Sequence, residues 1–116
     1  MSVLYVVCGP PASGKSTLAR RLSSQLRLLA FSSDELGLAI SDSLEDSTAI
    51  SDEDKFHAAR AVMFAMWRRA LTLGTDCLHD ATVPSLATWK DLAEIAAQSG
   101  SQLVVVQLDA SDAELV

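Results

Sequence analysis

The sequence predicts an α/β fold built on a parallel sheet, and three observations carry that prediction. "VLYVVC" (Val3 to Cys8) is an unbroken apolar, β-branched run, the pattern of a strand covered on both faces. Amphipathic segments with helical spacing and recognisable caps follow at intervals along the chain. The elements alternate strictly, strand then helix, through four strands, which implies right-handed crossovers and ligands at the carboxyl ends of the strands.

Each element has its own justification. From Gly14 the leucines Leu18, Leu22, Leu26 and Leu29 recur at helical spacing with Arg20, Arg21 and Arg27 on other faces, so a helix runs to about Leu26. A short second strand over Leu28 to Ser33, "LLAFSS", leads into Asp34. Residues Asp34 to Asp54 hold eight of the fifteen acids and no base, a polar flap or solvated acidic loop with a short helix in "DELGLAI". Phe56, Ala59, Met63, Met66, Ala70 and Leu73 repeat at three and four, giving a helix over Asp54 to Leu73 closed by Gly74. Met63, Met66 and Trp67 read as core packing. "DCLHDAT" (Asp76 to Thr82) is the third strand. Ser85 caps a helix that turns Leu86, Trp89, Leu92, Ala93 and Ala96 inward and ends at Gly100. "QLVVVQL" (Gln102 to Leu108) is the fourth strand.

At 116 residues the chain fits a single domain, residues 1–116, with one core. A 49% hydrophobic and 21% charged composition with clear periodicity excludes a disordered chain. No apolar run is long enough to span a bilayer and the N-terminus lacks a signal-peptide pattern, so the expected location is cytoplasmic, with no membrane partner. Cys8 and Cys77 sit in short apolar runs and read as buried thiols. The net charge of −6 argues against a surface that grips nucleic acid through a whole face, while leaving room for a local anion pocket.

That pocket is legible in "CGPPASGKST" (Cys8 to Thr17). Gly9-x-x-x-x-Gly14-Lys15-Ser16 is a Walker A pattern, placed after a buried strand and at the start of a helix. Gly9 turns the chain out of the strand, and Gly14 lets backbone approach a phosphate with no Cβ in the way. Successive N–H groups then converge on the anion at the positive end of the helix. Gly9, Pro10, Pro11, Ala12, Ser13, Gly14, Lys15, Ser16 and Thr17 are therefore the expected nucleotide-binding residues. Lys15 bridges the β- and γ-phosphates, and the Ser16 hydroxyl is a ligand for Mg²⁺. The expected ligands are a nucleoside triphosphate and Mg²⁺.

Three carboxylates emerge on the same sheet edge as this loop: Asp34, Asp80 and Asp109. Asp80 suits a Walker B-like place in the Mg²⁺ shell, and a turn cap at the strand end is its alternative. Asp109 lies in "DAS" and reads as a turn former. Asp34 stands where a general base would take the proton of an acceptor hydroxyl, with an N-cap to the following helix as the other reading. Glu35 reads as solvent-facing. His57 and His79 read as satisfied or exposed histidines rather than catalytic ones.

"GPPASGKSTLARRL", "FSSDEL" and "DATVP", in that order and spacing, resemble the P-loop kinases. The likeness is to the small AAA-type ATP-binding group that includes the polynucleotide 5′-hydroxyl kinase domain, chloramphenicol phosphotransferase and zeta-toxin-like kinases, and it runs over essentially the whole chain. The resemblance implies a three-layer P-loop NTPase fold with strand order 2-3-1-4-5, of which four strands, 2-3-1-4, are visible here. It implies ATP with Mg²⁺ and phosphoryl transfer to a hydroxyl of a small molecule or a nucleic-acid end. It places Lys15 and Ser16 at the nucleotide, Asp34 as base and Asp80 as the acidic residue after the third strand. Such kinases often carry an arginine three residues after the base, where this chain has Gly37. Their arginine-bearing lid and fifth strand lie beyond "LDASDAELV", and no arginine follows Arg69. The chain therefore reads as the N-terminal part of a kinase, with a nucleotide-binding module without efficient turnover as the alternative. An ATPase that hydrolyses rather than transfers ranks lower, since no water-positioning Gln or Glu follows Asp80. Leu103 to Leu108 is then an edge strand, expected to pair with a second copy unless a C-terminal partner covers it.

Overall fold

Val3–Cys8 forms the central strand, β1, and every other layer is arranged around it. In the computed structural model the described residues are 1–10, 13–31, 35, 36, 38, 39, 42, 51–81 and 85–109. Along the chain follow α1 (Lys15–Leu26), β2 (Leu29–Phe31), α2 (Asp52–Thr72), β3 (Cys77–Ala81), α3 (Leu86–Gln98) and β4 (Gln102–Gln107). The four strands make one sheet in the order β2-β3-β1-β4, and all three pairings are parallel. This is the class and the strand order expected from the sequence.

Strand alternation divides the apolar residues between two cores. Leu4, Val6 and Cys77 face one side, where they pack with Met63, Trp67 and Leu71 of α2 and with Leu92 and Ile95 of α3. Val7 and Leu78 face the other side, where Ala19 of α1 and Leu28 close over them, with Leu18, Leu22 and Ala30 at the margin. Among the elements described, one helix on one face and two on the other give the three layers. At the amino edge of the sheet, Val3 N–H donates to the Asp76 carboxylate at 2.8 Å and Leu29 N–H donates to the Asp76 carbonyl at 3.0 Å. One residue thus aligns the starts of β1 and β2 with that of β3.

The helix faces correct the expected stripes in detail. Leu26 is 48% exposed because Arg27 turns out of α1 in the left-handed region at φ 54°, and Leu28, after the turn, takes the core place. α2 begins at Asp52, two residues earlier than expected, because the Ser51 hydroxyl accepts from Asp54 N–H at 3.1 Å and caps it. Its buried row is Ala59, Met63, Trp67 and Leu71, whereas Phe56 and Leu73 are exposed. Ser85 caps α3 as expected, but Ile95 is buried in place of Leu86 and Ala93, which face outward.

Candidate functional site

The loop after β1 is shaped by what leaves no room for a side chain. A Cβ on Gly9 would stand 2.7 Å from the Leu108 carbonyl oxygen and 3.0 Å from Ser13 Oγ. The approach is fixed because Leu108 N–H donates to the Cys8 carbonyl at 2.8 Å, holding the end of β4 against the foot of the loop. Ser13 N–H donates to the Pro10 carbonyl at 3.3 Å, which folds the loop back on itself. Gly14 then takes φ +87°, a conformation that L side chains rarely adopt, and becomes the N-cap of α1. It has no side chain to satisfy the first-turn amides, and the first helical bond runs from Leu18 N–H to the Gly14 carbonyl at 3.0 Å.

This cradle fits a phosphate. The Ser13 hydroxyl is buried inside it and has no hydrogen-bond partner among the described residues, a cost that an anion oxygen would remove. The uncapped first turn of a twelve-residue helix points the same way.

Lys15 opens α1, and its Nζ donates to Asp80 Oδ1 at 2.6 Å. The two side chains are 15% and 18% exposed, so this is a short, charge-assisted bond largely shielded from water. Alternation explains how Asp80 gets there. Leu78 and Asp80 of β3 lie on the α1 side of the sheet, and Asp80 pairs with Val7, level with the base of the loop. A slip of one residue would put His79 at the site and Asp80 in the opposite core.

From the ion pair a groove of about 700 Å³ runs between α1 and the β2–β3 side of the sheet. Ser16 and Asp80 both line it, so a hydroxyl and a carboxylate oxygen, the hard donors that suit Mg²⁺, stand beside the lysine. Of the residues expected at the nucleotide, Gly9, Pro10, Ser13, Gly14, Lys15, Ser16 and Thr17 stand together at this edge. Pro11, Ala12 and the expected base Asp34 lie outside the described residues. Asp109 follows β4 at the same edge and is exposed. Burial pushes the Cys8 thiol up, Lys15 works against that, and Asp109 adds to it. Cys77 is pushed up to about 11, first by burial and then by Asp76, so both thiols are inert packing, as expected.

Other features were not legible in the sequence. Arg20, which the leucine spacing assigned to another face, joins the groove wall with Ser23 and Ser24. Glu35 is exposed, as expected, and still forms part of the groove mouth. Behind the sheet, buried His79 accepts at Nδ1 from Trp67 Nε1–H at 3.1 Å and lies against the Phe64 ring. Arg60 stacks on Phe64 at 5.0 Å and bonds Asp91 of α3 at 3.1 Å, tying the two helices together. Among the described residues no helix is long and apolar enough to cross a membrane.

Comparison with known proteins agrees with this geometry. A family model described as an AAA domain matches residues 4–116. An adenylate kinase of Chlamydia abortus is 31% identical over 120 residues, covering 98% of this chain and 56% of that protein. A solved structure of a kinase-like protein from Chloroflexus aurantiacus superposes with a TM-score of 0.79 at 20% identity, over 92% of this chain and 59% of that one. The APS kinase of Mycobacterium tuberculosis superposes with a TM-score of 0.54 at 19% identity, over 93% of this chain and 76% of that one. The chain therefore spans a little over half the length of the first two. With the phosphate cradle, the Lys15–Asp80 pair and the 2-3-1-4 sheet in place, the match over residues 4–116 identifies the chain as a member of the AAA domain family, within the P-loop kinase superfamily.

Proposed function

We propose that the protein is the nucleotide-binding part of a kinase that transfers the terminal phosphoryl group of ATP to a hydroxyl. The observation that carries this reading is the cradle with its attached cation: Gly9 and Gly14 shape it, Ser13 Oγ stands in it with no partner among the described residues, and Lys15 stands at its rim. The backbone N–H groups of the loop and the first turn of α1 hold the phosphates, and Lys15 leaves Asp80 to neutralise the outer ones. Ser16 and Asp80 would hold Mg²⁺, which would supply neutralisation of the phosphate charge there.

The acceptor oxygen forms its new bond to the terminal phosphorus as the bond from that phosphorus to the bridging oxygen breaks. The released electron pair stays on the ADP oxygen, and the hydroxyl proton passes to the Asp34 carboxylate. In sequence Asp34 comes three residues after the end of β2, a strand whose carboxyl end faces the edge where the loop opens, and this supports the role.

The experiment has two arms. Lys15→Ala is expected to weaken ATP binding at least about tenfold by calorimetry, the loss of roughly one charge-assisted contact. Unchanged affinity would remove the phosphate-loop assignment. Asp34→Asn is expected to keep ATP affinity while phosphotransfer falls by about 10² or more. Full transfer by that variant would show that the base lies elsewhere.

A further inference from the structure

We infer that the acceptor is a neutral, ring-sized alcohol bound in the groove between α1 and the β2–β3 side of the sheet, an inference that rests on the kinase reading. The groove is continuous with the Lys15–Asp80 pair, so whatever lies in it touches the place where the terminal phosphate is held. Its volume of about 700 Å³ is in the range of small-molecule sites. Its helical wall runs from Lys15 to Ser24, roughly 13 Å at 1.5 Å per residue, the reach of a molecule of one or two rings.

The lining names the chemistry along that length. The floor is Ala19, Ala30 and Leu78, small or flat apolar groups that suit the face of a ring and leave the space above them open. At the far end stand Ser23 and Ser24. The Ser23 hydroxyl already donates to the Ala19 carbonyl at 2.6 Å, so toward the groove it offers lone pairs, which match the O–H donors of an alcohol.

Charge argues for a neutral guest. Among the described residues, once Lys15 and Asp80 are engaged by the donor, the ionised lining is one Arg20 and one Glu35, of opposite sign. Arg20 is further drawn to its own helix, its Nε donating to the Ser16 carbonyl at 3.4 Å. A nucleic-acid end brings several phosphates and wants a row of cations. Among the described residues the groove has no such row, and the chain as a whole carries a net charge of −6. Of the two acceptor classes the small alcohol is the better fit.

The test uses the full chain saturated with Mg²⁺ and the non-hydrolysable analogue AMP-PNP. Thymidine, glucose, myo-inositol and a 5′-hydroxyl hexathymidylate are titrated in, with binding read by ligand-observed NMR. Two variants fill the groove: Ser24→Trp on its exposed wall and Ala19→Met in its floor. At least one neutral ring alcohol is expected to bind the wild type and to lose about tenfold or more in affinity in Ser24→Trp, with AMP-PNP affinity unchanged. The inference is overturned if no neutral alcohol binds, or if the oligonucleotide binds better than all of them. It is equally overturned if neither groove variant weakens the alcohol, or if Ser24→Trp weakens AMP-PNP, which would give the groove to the donor. Failure of the wild type to bind AMP-PNP at all would instead sink the kinase reading itself.

Discussion

Asp80 and His79 are consecutive residues with opposite fates, and the pleat of β3 alone separates them. Asp80 faces α1 and meets Lys15, while His79 faces α2 and is 4% exposed. Burial pulls the imidazole down to about 4 from its usual 6.5; Asp80 opposes the shift, while Arg60 and Lys15 reinforce it. The neutral ring is the form that accepts from Trp67 at Nδ1, so protonation there would set two donors against each other. Below pH 6.5 the unfolded chain takes up a proton that the folded chain refuses. This contribution to stability is therefore complete above the unfolded value and is lost as pH falls from about 6.5 toward 4. By pH 5 the loss is on the order of 2 kcal/mol. His79→Gln keeps an acceptor for Trp67 and cannot titrate. Urea unfolding at about pH 7.5 and pH 5 should thus show a drop smaller by that amount in the variant than in the wild type. Equal drops in the two proteins would mean that His79 does not titrate differently on folding.

At the scale of elements, α1 shows both how much the sequence discloses and where it falls short. Its start was legible because the chemistry is local: Gly14 must be glycine at φ +87°, and Lys15 must follow it to reach the rim. Its end, expected at about Leu26, does fall at Leu26, but the way the helix stops there was not legible. No glycine marks the stop. Arg27 adopts φ 54° itself, its N–H and that of Leu28 both directed to the Ser23 carbonyl, so the C-cap is built by a residue that sequence rules place inside the helix. The same limit hid the groove. Arg20, Ser23 and Ser24 look like an outer face until the position of β2 across the sheet edge is known, and that is a tertiary fact. Asp80 was legible because a strand end beside a Walker A loop leaves few alternatives, but its bond to Lys15 was not. The Arg27 conformation yields a prediction. Arg27→Gly relieves the left-handed strain and is expected to raise stability by about 1 kcal/mol, offset slightly by the flexibility of glycine in the unfolded chain. Thermal unfolding checks it: a melting temperature lower than wild type would show that the Arg27 side chain contributes more than its backbone costs.

The two edges of the whole sheet are not equivalent, and the difference predicts how the molecule meets a second copy. β2, at one edge, pairs over three residues and presents little open backbone. β4, at the other, has six residues, and among the described residues it pairs with β1 alone. Its side chains are less covered than those of β1: Val105 is 46% exposed, and Leu103, Val104 and Val106 are half-buried, although all four are apolar. A long, flat, apolar edge with free N–H and C=O groups favours strand addition, and a short one does not. We therefore predict that the chain self-associates through Gln102–Gln107, adding a copy of β4 to β4 across a two-fold axis. Sedimentation equilibrium should show a concentration-dependent dimer for the wild type. Val105→Lys puts a charge on that edge at a residue whose exposure lets the ammonium reach water, so it should shift the equilibrium to monomer without loss of helix content by circular dichroism. A wild-type chain that remains monomeric at high concentration would contradict the edge argument. A dimer that Val105→Lys leaves intact would move the interface elsewhere, with the exposed Phe56 and Val62 of α2 as the next surface to substitute.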